Sequence, residues 1–275
     1  MSGKTSVAAT EIIAQCGDNA PILYQDAAIT GDLDFIAACT PDSLDGTHSI
    51  HPSITFTNCV FFGRVLAYDD GQEASIQFEK PASFADCEFR KMLDFRQAVF
   101  VEQVVFEGAR FDRETTFEDT TFSEKADFRG AQFFQRADFG NAQFLRGADF
   151  QGTRFSGEAW FAAAQFLQTA NFEGAEFLEP ACFYGVQFAD GLFGSVVFEE
   201  HADFDGAQFS GDAVFEAAQF MASSGFGEAI FDGIVDLSSA AFEQTPVLWE
   251  TEFKDEVYFD EARCEGEPFN PLESE

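Results

Sequence analysis

From Phe78 to Phe259 one apolar side chain recurs at intervals that alternate between six and five residues. The series opens 78, 84, 89, 95, 100, 106, 111 and runs through 34 centres, 32 of them Phe and two of them Leu (Leu237 and Leu248). One interval breaks the alternation: Phe188 to Phe193 spans five residues where six are due, and the order resumes afterwards. A helix cannot use this period, because steps of five and six turn about 500° and 600° and scatter the rings around the axis. Two residues before each centre stands a small or β-branched residue, as at Ala126, Ala131, Ala137, Ala142, Ala148 and Thr153. Small–polar–Phe puts the first and third side chains on one side and the second on the other, which is strand alternation. The chain is therefore read as very short strands separated by corners, wound with Phe and Ala turned toward a common axis.

The two intervals differ in chemistry. Units followed by a step of five often read Ala-Asp/Asn-Phe-x-Gly, as at Ala126-Asp127-Phe128-Arg129-Gly130 and Ala170-Asn171-Phe172-Glu173-Gly174. Units followed by a step of six often read Ala-Gln-Phe, as at Phe133, Phe144, Phe166 and Phe209. Glycine so soon after a strand supplies the backbone freedom that a tight corner needs. The runs ADFRGAQF, ADFGNAQF and ADFQGTRF resemble the pentapeptide-repeat family, whose consensus is a small residue, Asp or Asn, Leu or Phe, then two variable residues. The resemblance implies an all-β fold, a right-handed quadrilateral β-helix with four units per coil. The extra residue in every second unit lengthens each coil and makes a wider corner on alternate edges. Eight and a half such coils at about 4.8 Å each form a rod roughly 40 Å long.

An open solenoid exposes an apolar stack and strand edges at both ends, so caps are expected. Residues 1–77 are read as an N-terminal cap with a short helix and degenerate coils, 78–259 as the solenoid, and 260–275 as an acidic C-terminal tail. Within the cap, residues 6–16 have the pattern of a helix, with Ser6 at its start and Gly17 at its end. Residues 29–35 alternate like a strand, Ile54-Thr55-Phe56 and Cys59-Val60-Phe61 look like irregular first units, and 68–73 are rich in turn residues. In the tail, Phe269 and Leu272 are placed to fold over the last coil.

Chemistry is sparse. His48-x-x-His51 lies near Cys39 and Cys59 in sequence, but the ligand set is incomplete for a metal, and the pair reads as two surface loop histidines. His201 sits beside Glu199 and Glu200 at a corner. Asp203-Phe204-Asp205-Gly206 resembles the start of a calcium loop whose later ligands are missing. Cys59 and Cys87 fall in the small inward slot, whereas Cys182 falls on the outward position next to Phe183. Six dispersed cysteines without a C-x-x-C pair read as reduced thiols. No catalytic, cofactor-binding or metal-binding residue is assigned, and the chain is read as a non-enzyme that needs no cofactor. Residues 1–11 show no apolar stretch of a secretory leader and no run suits a membrane helix, so the expectation is a cytoplasmic protein without membrane contact.

Charge is the remaining signal. With 15 Lys+Arg against 49 Asp+Glu the net charge is −34, which excludes direct binding of nucleic-acid phosphates. The charge is unevenly placed: residues 80–154 carry 11 Lys or Arg and 13 acidic side chains, residues 155–253 carry 17 acidic side chains and no Lys or Arg. Glu173, Glu199, Glu200, Asp203, Asp205, Asp212, Glu216, Asp232 and Asp236 are the candidate acidic interaction surface, and its partner is expected to be a protein with a basic surface. Two function classes follow. One is a non-catalytic scaffold or protein–protein interaction module. The other is implied by the resemblance, since members similar to the mycobacterial and plasmid quinolone-resistance proteins are acidic rods that present a duplex-like shape to type II topoisomerases. Halophile-type or solubility-type acidity is the competing reading of the charge, and the near-neutral 80–154 segment fits it poorly.

Overall fold

The structure is a computed structural model that describes residues 4–38, 47–69 and 74–272. Its strands stack into four sheets of 11, 13, 9 and 11 strands, which form the four sides of a β-helix. We number the sides in chain order. Face 1 holds Ala126–Asp127 and Ala148–Asp149, face 2 Gln132–Phe133 and Arg154–Phe155, face 3 Ala137–Asp138 and Ala159–Trp160, face 4 Gln143–Phe144 and Gln165–Phe166. Faces 1 and 3 are opposite, as are faces 2 and 4. Neighbouring strands are parallel and in register, so that Ala126 lies beside Ala148 and Gln132 beside Arg154, each one full coil further along the chain. Each peptide N–H that points along the axis therefore finds a carbonyl one coil away, as Phe128 N does on Asp149 O at 2.7 Å.

The rings fill the interior. Phe128 and Phe150 on face 1 stack offset at 4.9 Å and 2°, and Phe139 and Phe161 on face 3 do so at 4.9 Å and 1°. Across the rod the two columns interlock edge-to-face: Phe139 meets Phe128 at 88° and Phe150 at 87°. Both geometries suit the ring quadrupole, so each ring is held by stacked and perpendicular neighbours at once. Where Thr replaces Ala in the small slot its hydroxyl stays paired, Thr120 Oγ1 donating to Phe95 O at 2.7 Å and Thr153 Oγ1 to Phe128 O at 2.8 Å.

Corners explain the two step lengths. The second residue after each centre on faces 1 and 3 is left-handed throughout the regular coils: Gly130 at φ 63°, Asn141 at 54°, Gly152 at 63°, Ala163 at 56°. That conformation closes the turn in the shorter step and favours Gly, Asn and Asp. The irregular interval is a shortened corner: Ala170 pairs with Gly191 and Glu176 with Val197, so this coil is one residue shorter than the coil from Ala126 to Ala148. Here Gly191 occupies the slot that Ala fills elsewhere. A Cβ on it would lie 2.7 Å from Phe209 Cε1 and 3.0 Å from Phe193 Cε2, so the shorter corner draws the backbone against the rings and leaves room only for hydrogen.

The sheets begin well before Phe78. Thr5–Ala8 pairs with Ala27–Thr30 on face 2, and Ile22–Gln25 with Ile54–Thr57 on face 1. The first coils carry longer corners: Ile22 pairs with Ile54 and Ile54 with Ala82, each partner lying further along the chain than in the regular coils. The N-terminal helix is shorter than its sequence pattern, Ala9–Ile13, and Ser6 lies in the strand that precedes it. The 29–35 stretch divides into Ala27–Thr30 on face 2 and Leu33–Asp34 on face 3, with Gly31 turning the corner at φ 84°. Asp70, Gly71, Gln72 and Glu73 of the turn-rich stretch fall outside the described residues. At the other end Arg263–Cys264 and Glu267–Pro268 form an antiparallel hairpin that seats Phe269 against Phe242, ring centroids 5.2 Å apart. Leu272 stays 60% exposed. Beneath Phe269 and Pro271, where Leu237 and Leu248 replace Phe, an apolar void of about 20 Å³ remains.

Candidate interaction surface

The acidic side chains first do local work. On faces 1 and 3, where a carboxylate stands just before a centre it accepts the backbone N–H two residues on, closing the corner: Gly140 N to Asp138 Oδ1 at 3.0 Å, Asp205 N to Asp203 Oδ1 at 2.9 Å, Ser238 N to Asp236 Oδ1 at 2.9 Å. Asn171 and Thr116 do the same with neutral oxygens, so the position selects an acceptor and charge is secondary. Other carboxylates reach one coil on: Asp205 Oδ1 accepts from Gly227 N at 2.7 Å and Asp212 Oδ1 from Ile234 N at 3.0 Å. Sequence reasoning saw these residues as outward charge and missed that role, although the Asp/Asn alternation was its signal.

The nine candidate acids do not form one patch. Asp203 and Asp205 lie on face 3, with Glu199 and Glu200 exposed at the corner leading into it. Glu173, Glu216 and Asp236 belong to face 1, on the opposite side. Asp212 lies at the corner entering face 1, and Asp232 flanks face 4 in an ion pair with Lys254 at 2.9 Å. The candidate acids are thus spread around the rod, Asp203 and Asp205 opposite Glu216 and Asp236, while the strands of face 4 present uncharged Gln143, Gln165, Gln187 and Gln208.

In the first half several acids are matched by Arg. Arg96 grips Asp94 at 2.7 Å, Arg129 grips Asp127 at 2.7 Å and reaches Glu107 at 3.2 Å, and Arg136 holds Asp138 at 2.7 Å. Burial alone would raise the Asp127 carboxyl, but the Arg129 guanidinium and backbone N–H outweigh it and hold the pKa below its ordinary value. At Asp203 the balance reverses: burial dominates, the neighbouring Asp205 charge adds to it, and the pKa is raised despite the Asp205 N–H and His201. Arginine also covers rings here, Arg110 over Phe134 at 3.8 Å and Arg136 over Trp160 at 4.8 Å.

The other chemistry-bearing residues are structural. His48 is 4% exposed, in the strand Thr47–Ile50 and not on a surface loop, because its position is the inward slot of a face-4 unit. His51 faces Glu79 at 2.8 Å, and His201 Nδ1 sits 2.9 Å from Ser223 Oγ. Cys59 and Cys87 occupy successive inward slots of face 2, with thiols donating to Tyr24 O at 3.4 Å and Phe56 O at 3.5 Å. Burial pushes the Cys87 thiol up, and Cys182, on the outward position of face 3, is raised by burial too. Cys39 lies outside the described residues. Among the described residues no three His, Cys, Asp or Glu side chains come together as a metal would require, and no helix is long and apolar enough to cross a membrane.

The family profile for pentapeptide repeats (9 copies) matches residues 74–121, 117–165, 150–193, 172–219 and 193–241. The chain belongs to the pentapeptide-repeat family. Curated protein sequences yield no match to this pentapeptide-repeat chain. Among solved structures it is similar to a trypsin-treated variant of QnrB1, a plasmid-mediated fluoroquinolone resistance protein, at 14% identity over 90% of this chain and 92% of that one, with a TM-score of 0.21. A second trypsin-treated QnrB1 variant matches at 13% identity over 95% and 90%, with a TM-score of 0.16.

Proposed function

We propose that this pentapeptide-repeat rod is a non-catalytic interaction module whose anionic half binds a protein with a basic surface. The observation that carries the reading is the pairing of a ring-filled interior with charge set out on opposed outer faces. A rod packed this way offers a partner its faces and edges and offers a substrate little concavity. The test is affinity capture with the full chain at low and at high salt, beside a variant carrying Asp203→Asn, Asp205→Asn, Asp212→Asn and Glu216→Gln. A specific partner lost at high salt and depleted by the variant supports the reading. Equal capture by both proteins at both salt concentrations removes it.

A second reading, mimicry of duplex DNA toward a type II topoisomerase, is favoured by one feature: acids without any Lys or Arg over 155–253, set on all sides of the rod. Its test is DNA gyrase supercoiling with the same two proteins. Mimicry requires inhibition by the parent, relief by added DNA and weaker inhibition by the variant.

A further inference from the structure

Face 3 repeats one recognition element and then omits half of it. Around Arg136 the element is complete within the chain: the guanidinium donates to Asp138 Oδ2 at 2.7 Å and lies over the Trp160 ring at 4.8 Å. Arg136 stands at the corner entering face 3, and the corresponding corner positions on later coils are Glu158, Pro180, His201, Ser223 and Thr245. Rings and carboxylates continue without it. Tyr184 is 58% exposed and Trp249 is 51% exposed, both directly after their face-3 centres on the same edge of the rod, with the Asp203/Asp205 coil and the Gly225/Gly227 coil between them. The indole of Trp249 lies across Gly227, where a Cβ would fall 2.3 Å from its Nε1, so the ring leans back toward Asp205. Asp205 in turn crowds Gly225, whose added Cβ would meet Asp205 Oδ1 at 2.7 Å. Glycine at both positions keeps this strip of surface low between two projecting rings.

We propose that the outward surface of face 3 between Tyr184 and Trp249 docks an arginine-bearing extended segment of a partner protein, its guanidinium against a ring and its N–H groups on Asp203 or Asp205. The inference rests on the reading of the chain as a protein-binding rod and says where and by what chemistry it binds. Charge complementarity selects the occupant: the coils from 155 to 253 supply rings and carboxylates but no Lys or Arg of their own. Arginine fits better than lysine because its planar group stacks on a ring and still presents in-plane donors to a carboxylate. The raised pKa of Asp203 agrees with a carboxylate that has neighbours of its own sign.

The chain has two tryptophans, so Trp160→Phe leaves Trp249 as the lone indole in the full-length protein. The probe is a fluorescein-labelled heptapeptide alternating glycine and arginine, with its lysine counterpart as comparison; its anisotropy reads affinity in every variant, including those that lack Trp249, and the indole reports contact at the site. The expected result is a saturable change in Trp249 emission, with the arginine peptide at least threefold tighter. Asp203→Asn with Asp205→Asn, which keeps both backbone-accepting oxygens, weakens binding about tenfold, as does Trp249→Ala. Trp249→Phe keeps a ring and stays within threefold of the parent. Glu173→Gln with Glu216→Gln removes the same charge from face 1 and changes affinity less than twofold. Equal weakening by the two charge pairs, unmoved Trp249 emission on binding, or parental affinity in Trp249→Ala overturns the proposal. Failure of the peptide while the captured partner still binds in the salt-dependent test removes this surface alone and leaves the interaction module standing.

Discussion

Residues 80–154 and 155–253 are built on one backbone and diverge at the surface. Both stack Phe columns through the axis, with Phe128 on Phe150 at 4.9 Å in one half and Phe183 on Phe204 at 4.7 Å in the other. Both close some of their corners with an acceptor just before the centre, Asp138 in one and Asp203 in the other. The position just after the centre is where they part. On face 1 the series runs Ala85, Glu107, Arg129, Gln151, Glu173, Gly194, Glu216, Ser238; on face 3 it runs Arg96, Glu118, Gly140, Ala162, Tyr184, Asp205, Gly227, Trp249. Arg96 and Arg129, the two cations that turn back onto their own Asp, have no counterpart in the second half, where the exchange is for Glu, Asp, Tyr and Trp among small residues. Exposed ion pairs contribute little to folding, typically below about 1 kcal/mol, so the exchange costs little stability while changing what the face presents. The repeat thus separates two jobs: inward residues hold the coil, and outward positions, among them the one after the centre on faces 1 and 3, are free to vary.

The strongest way to break this comparison is to disturb the shared part. Phe139→Asp in the first half and Phe172→Asp in the second each bury an unpaired carboxylate among rings, and each is expected to cost more than about 4 kcal/mol. Glu173→Gln, one residue from Phe172 but outward, is expected to melt with the parent. Circular dichroism melts compare all three. A Phe172→Asp protein as stable as Glu173→Gln would show that the second half is not held by its ring column.

A smaller effect tests one place where the interiors differ. Gly191→Ala adds a methyl against Phe193 and Phe209 at the shortened corner and is expected to destabilise by about 1–3 kcal/mol. Gly130→Ala in the first half meets no atom within 4 Å and bears only the left-handed backbone at φ 63°, about 1 kcal/mol. Chemical denaturation of the two variants should rank them in that order. The reverse order would mean that Phe193 and Phe209 yield to the added methyl and that ring contact does not fix glycine at 191.

The smallest effect has opposite signs in the two halves. Asp127 has a folded pKa below its ordinary value, so it stabilises above the ordinary carboxylate pKa and loses that contribution as pH falls through the folded value. Asp203 has a raised folded pKa, so its ionised form is disfavoured by the fold: stability falls as pH rises from the ordinary value through the folded one, and returns on acidification. Both side chains keep their corner hydrogen bond as Asn. Near neutral pH, Asp127→Asn should lower the melting temperature by the equivalent of about 1 kcal/mol. Asp203→Asn should raise it by less, and both differences should vanish in acid. Two variants shifting in the same direction at neutral pH would end the distinction between a matched half and an unmatched one.

The Phe period was enough to read the inward Ala column and the shortened corner at Phe188, because each depends on spacing alone, whereas the four sides came from the resemblance to the pentapeptide-repeat family. It did not reach the first coils. There the inward side chains are Ile29, Ile50 and Ile54 as well as Phe, and long corners carry the chain from Ile22 all the way to Ile54 before it pairs, so the period dissolves while the pairing persists. The acidic segment was legible as composition, and its division between faces followed from counting repeat units, which puts Asp149 and Asp236 on one face and Asp138 and Asp203 on the opposite one, as the strand pairing does. A turn of the chain at every repeat unit sends Asp205 and Glu216 to opposite sides, although they are close in sequence. The lean of Trp249 over Gly227 left no mark at all, since the two residues stand one coil apart and neither belongs to the repeat consensus.

The coil-to-coil register carries a kinetic consequence. Sheets usually fold slowly because their pairings join distant parts of a chain and each closure removes much entropy. Here every parallel ladder joins one coil to the next, as Ala126 to Ala148 does, and never reaches further. Set against the full length of the chain, that spacing is a relative contact order of about 0.08, the range of helical bundles. Once one coil exists, the next closes a loop of the same length onto a finished template, and the last costs no more than the first. An all-β rod built this way grows from a nucleus like a zipper, and lengthening it by whole coils leaves the difficulty of folding unchanged.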